Sequence, residues 1–106
     1  MLKANGTRIS MTEGDFGEKI LLPITINGIT INSDETIKFK IRIDRENEII
    51  KNYSDIKNNT FSFYLTKAES ESLKAGLYYY SIDWYKDENF LANIISGQTF
   101  LVGKKV

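Results

Sequence analysis

From Thr36 to Asp44 the chain reads Thr-Ile-Lys-Phe-Lys-Ile-Arg-Ile-Asp, with every odd position apolar and every even position polar. A period of two sends alternate side chains to opposite faces of a pleated strand. Ile37, Phe39, Ile41 and Ile43 therefore turn to a core, while Lys38, Lys40 and Arg42 turn to water and discourage casual pairing on that face. The same rule makes Thr60–Thr66 a strand with Phe61, Phe63 and Leu65 inward. It makes 77–85 another, with Tyr78, Tyr80, Ile82 and Trp84 on one face and Leu77, Tyr79, Ser81, Asp83 and Tyr85 on the other.

Further strands are expected at Arg8–Met11, Glu18–Ile26, Ile49–Tyr53, Phe90–Ile95 and Gln98–Val102. Pro23 lacks the N–H that a ladder needs, so its strand belongs at an edge or a bulge. Turn residues fall between the runs: Asn27-Gly28, Asn32-Ser33-Asp34, Glu46-Asn47 and Lys86-Asp87-Glu88-Asn89. Short turns between consecutive strands imply antiparallel pairing. About eight short strands in one chain of 106 residues fit a single all-β domain over residues 1–106, an immunoglobulin-like antiparallel β-sandwich.

The stretch Thr66–Gly76 interrupts this pattern. Thr66 followed three residues later by Glu69 is a capping box, and Gly76 is a helix stop, so a helix of about two turns is expected near 67–74. So short a helix must dock to persist, and Ala68 and Leu73 are its apolar contacts.

Composition narrows the chemistry. There is no His and no Cys, which removes imidazole acid–base catalysis, serine and cysteine triads, disulfides and thiolate metal sites. Neither GxxxxGK[ST] nor GxGxxG occurs, so no phosphate loop is expected. Lys plus Arg and Asp plus Glu stand at 14 each, which offers no basic field for nucleic acid. Met1–Thr7 lacks the apolar stretch of a leader, and no run approaches the ~18 apolar residues of a membrane span. Asn5, Asn52 and Asn58 open Asn-x-Ser/Thr triplets that chance in an asparagine-rich chain explains.

Only carboxylates remain for catalysis: Glu13 with Asp15, and Asp83 with Asp87 and Glu88. They sit at strand ends and turns of a domain too small to wall a deep cleft, and neither set has the spacing of a calcium loop. The chain is therefore expected to be no enzyme and to use no cofactor or metal. Tyr78, Tyr80 and Trp84 read as core. Tyr79 and Tyr85, on the outer face, are the candidate interaction residues, open to sugar stacking or to a protein contact.

Four features in order resemble the N-terminal immunoglobulin-like domain of phage baseplate upper proteins and related tail or fibre components. They are Glu13-Gly14-Asp15 opening a long strand; Phe61-x-Phe63-x-Leu65 running into Thr66-x-x-Glu69; Gly76-x-Tyr78-x-Tyr80-x-Ile82-x-Trp84; and Gly97-Gln98-Thr99-Phe100-x-Val102. Such domains are similar to docking collars that pack against copies of themselves or other baseplate proteins. The resemblance implies a non-enzymatic structural module of the virion, made in the bacterial cytoplasm, a homo-oligomer in its assembly, with no nucleic-acid or membrane partner and no active site to transfer. Two departures stand out: the chain stops at Gly103-Lys104-Lys105-Val106 without the long helical segment of such proteins, and Asn27–Glu35 matches only loosely. A small carbohydrate-binding module, or an adaptor or inhibitor of a host protein, are the rival readings.

Overall fold

The computed structural model describes residues 1–24, 30–32, 34–54 and 56–105. The Asn27-Gly28 turn, Ser33 and the end of the Glu18–Ile26 strand lie outside them. Among the described residues nine elements follow in order: β1 (Lys3–Asn5), β2 (Arg8–Thr12), β3 (Ile20–Pro23), β4 (Glu35–Arg42), β5 (Glu48–Tyr53), β6 (Thr60–Phe63), α1 (Lys67–Glu71), β7 (Gly76–Lys86) and β8 (Asn89–Gly103). A six-stranded sheet of order β1-β2-β8-β7-β4-β5 faces a two-stranded sheet, β3-β6. The protein is an all-β sandwich with one short helix. Among the described residues no helix is long and apolar enough to cross a membrane.

The arrangement is immunoglobulin-like. β8, β7 and β4 lie side by side as the middle of one sheet, β5 extends it, and β3 pairs with β6 across the core. A tyrosine corner marks the entry to β7, where the Tyr78 hydroxyl donates to the Lys74 carbonyl at 2.7 Å. Immunoglobulin domains of antibodies tie their sheets with a disulfide; this chain has no cysteine and packs rings between its sheets. Tyr80 stacks on Phe39 (centroids 4.7 Å apart, planes at 10°), Phe39 lies 4.4 Å from Phe63, and Phe63 meets Phe100 edge-on. Phe39, Phe63 and Phe100 are fully buried.

β4 follows the alternation read from the sequence, with Ile37, Phe39 and Ile41 buried and the lysines between them partly exposed. One pair departs from antiparallel order. β2 runs parallel to β8, from Ile9 opposite Phe100 to Thr12 opposite Gly103. Short turns dictate antiparallel pairing only for neighbours in sequence, and most of the chain separates these two strands. The expected strands Phe90–Ile95 and Gln98–Val102 are one, β8, because Gly97 at φ 66 and its neighbours form a bulge that keeps the ladder going. β1, a strand of three residues, gave no sequence signal.

The helix is shorter than expected. Its capping box forms as read: the Glu69 N–H donates to Thr66 Oγ1 at 3.2 Å, and the Thr66 N–H donates to Glu69 Oε1 at 2.9 Å. It ends at Glu71, because the Ser72 hydroxyl and N–H both donate to the Glu69 carbonyl and tighten the last turn. Gly76 is not the stop but the first residue of β7, at φ 158. Leu73 docks the segment, fully buried, whereas Ala68 is exposed. Ser70 takes the inward place instead, 2% exposed, with its hydroxyl unpartnered among the described residues.

Candidate functional site

The outer face of the large sheet is set by register. Tyr79 lies opposite Arg42 on β4 and Thr99 on β8, and Tyr85 lies opposite Thr36 and Phe90. Both point away from the core, on the same side as Lys38, Lys40 and Arg42. They stand six positions apart along β7, about 20 Å in an extended strand, so they are not neighbouring rings. Tyr79 is 52% exposed. Tyr85 is partly buried: Lys38 Nζ sits 4.6 Å from its centroid and Phe90 meets it edge-on at 5.7 Å.

Between the two tyrosines runs a polar bridge across three strands. Lys40 Nζ lies 3.1 Å from Asp83 Oδ2, and Asn93 Nδ2 donates to Asp83 Oδ1 at 2.8 Å. The hydrogen bond to Asp83 raises the pKa of Lys40 and outweighs the burial that opposes its charge. The bridge fixes β4, β7 and β8 relative to one another and divides the face into two halves.

Leu77 and Leu101 sit directly opposite each other on β7 and β8, 53% and 50% exposed, with Tyr79 diagonal to Leu101. A hollow of about 380 Å³ runs beside them, floored by Ile9, Ser10 and Thr99 and bordered by Arg8 and Asn5. Leu101 is the residue that sequence reasoning passed over. Phe100 and Val102 carry the strand and the closing motif of the sequence, and Leu101 between them faces out.

The candidate carboxylates are spread out and occupied. Glu13 Oε2 accepts from the Ala75 N–H at 2.9 Å, tying the loop before β7 to the start of the chain. Asp15 accepts from the Thr12 N–H and pairs with the Met1 ammonium, and these two contacts, the ammonium first, hold its pKa below the usual carboxylate value. Asp83 serves the bridge just described. Asp87 and Glu88 form the β7–β8 turn, both at positive φ. Among the described residues no three acidic side chains gather as a metal site would require.

A second feature lies at the β5 edge. A groove of about 400 Å³ separates Ile50–Ser54 from Phe61, Ser62 and Tyr64, where the wide sheet overhangs the narrow one. At its floor Lys51 turns inward: its ammonium lies 2.8 Å from Glu69 Oε1 and 4.1 Å from the Tyr64 ring centroid. Tyr53 lines the same groove, and burial pushes its hydroxyl well above the ordinary tyrosine pKa.

No protein-family model matches this chain, and neither does any curated protein.

Proposed function

We propose that this protein is a non-enzymatic structural module of a phage or prophage tail baseplate or fibre, acting in assembly through contacts with other virion proteins or with copies of itself. The observation that carries this reading is the cluster of Leu77, Tyr79 and Leu101, each at least half exposed, displayed side by side on a rigid sheet. Large apolar side chains gathered on a stiff surface are what a protein contact buries, whereas scattered ones need no explanation. The tyrosine corner and the ring-filled core lend support, because the sequence features that resemble baseplate domains include β7 itself, from Gly76 to Trp84.

A contact of this kind needs about 800 Å² from each partner, more than the leucine cluster alone supplies, so neighbouring surface must take part. The sugar-binding reading asks for rings that can stack on one ligand. Tyr79 and Tyr85 stand about 20 Å apart with the Lys40–Asp83 bridge between them, which favours the protein contact.

The test is mass spectrometry of purified particles released by inducing the source cells, with the peptide 59–67 as a marker. Detection at many copies per particle is the expected result. Expression in the cells with absence from intact particles would turn the reading to an adaptor or inhibitor of a host protein.

A further inference from the structure

We infer that the free edge of β5 is the surface through which two copies of this chain join, β5 against β5 in antiparallel fashion across a two-fold axis, making one continuous sheet. The inference rests on the reading that the protein assembles through protein contacts, and names the edge and the partner.

Each exposed strand edge among the described residues can be weighed for the ability to accept a further strand. β1 is only three residues long. β3 carries Pro23, which has no N–H to offer. β6 is four residues long and follows Asn58 and Asn59, both at positive φ. β8 is free on one side from Asn89 to Gln98 among the described residues, since β2 pairs only with Phe100–Gly103. Its register against β7 nevertheless slips three times, and each slip bends the strand and breaks the row of groups that a partner would need.

β5 has none of these defects. It pairs with β4 over six consecutive residues without a slip, and among the described residues no strand lies on its other side. The lysine that would ordinarily guard such an edge is withdrawn, because Lys51 is held under the sheet by Glu69 and Tyr64. Ile50, 46% exposed, stands in the middle of the strand on the outer face. The groove of about 400 Å³ beside β5 is the space between the two sheets that an added strand borders.

The sequence of β5 fits a second copy of itself. Antiparallel neighbours must place same-face residues opposite one another, so a two-fold axis through Ile50 sets Ile50 against its own copy. Glu48 then falls opposite Asn52, and Ile49 opposite Lys51. No like charges face each other directly, and the apolar pair occupies the axis. A symmetric interface of this kind uses one patch twice and closes, so it ends at two copies.

The chain has no cysteine, so one introduced thiol reports on one position. The experiment compares Ile50→Cys with Ala4→Cys, the latter an exposed residue of β1 at the opposite edge of the same sheet, under a mild thiol oxidant. Trp84 fluorescence checks that each variant is folded. Ile50→Cys is expected to become a disulfide-linked dimer of doubled sedimenting mass while Ala4→Cys stays single. As a second arm, Ile50→Lys and Ile50→Glu are each expected to sediment as monomers and, when mixed, to associate. Failure of Ile50→Cys to cross-link, or equal cross-linking at Ala4→Cys, overturns the inference. Peptides found in particles alongside such a failure would retire the β5 edge and leave the structural role standing.

Discussion

Tyr80 meets two demands at once. Its ring stacks on Phe39 in the core, and its hydroxyl donates to the Thr7 carbonyl in the turn between β1 and β2. Burial raises its pKa from 10.0 to about 12, and burial also raises that of Tyr53. In both cases folding favours the neutral phenol, so the stability linked to them is complete below pH 10 and is lost as pH climbs from there through about 12. Alkaline titration followed by tyrosinate absorbance is expected to show two of the six tyrosines ionising late, together with loss of the fold. Tyr80→Phe should remove one late step. An early, complete titration of all six in the folded protein would contradict this assignment. The inward position of Tyr80 was legible from alternation alone. The fate of Lys51 was not, because its burial depends on Glu69 and Tyr64, which lie 18 and 13 positions further on and meet it only after the sheets pack.

At the scale of elements, α1 shows how a local signal can be right about a start and wrong about an end. The capping box depends on residues three apart and forms as read. The end depends on Ser72, whose hydroxyl competes for the Glu69 carbonyl, a choice that Gly76 further on does not control. Glu69 ties the helix to the sheet. Burial works against its charge, but the hydrogen bonds from Lys51 and from the Thr66 backbone prevail and hold its pKa below 4.5. Its contribution is therefore complete above about pH 4.5 and is lost as pH falls through the lowered value. Glu69→Gln should flatten the acid limb of the stability curve measured by urea unfolding, and Thr66→Ala should cost about 1 kcal/mol with little change in pH dependence. An unchanged acid limb in Glu69→Gln would assign the acid sensitivity elsewhere. β8 teaches the complementary lesson: in sequence Phe90–Ile95 and Gln98–Val102 read as two strands, and only pairing with β7 carries the chain through Ser96-Gly97 as a bulge.

For the whole molecule the sandwich was legible because buried and exposed positions alternate over so much of the chain. The parallel seam between β2 and β8 was not, since pairing direction between distant strands leaves no local trace. That seam joins Ile9 to Phe100. Closing a loop of about ninety residues costs about 4 kcal/mol in chain entropy, with little to offset it until the sheet around β7 exists. β2 should therefore dock after the transition state. Ile9→Val, at a buried site, is expected to lower stability by about 1 kcal/mol and to speed unfolding about fivefold while leaving the folding rate unchanged. Ile82→Val, in β7, should instead slow folding; the reverse pattern in stopped-flow kinetics would sink this order of events. The same seam bears on biosynthesis. A ribosome delivers β2 about ninety residues before its partner, so the nascent chain must keep the apolar face of β2 waiting while the strands between them are made, and the native sheet can be completed only once β8 has emerged.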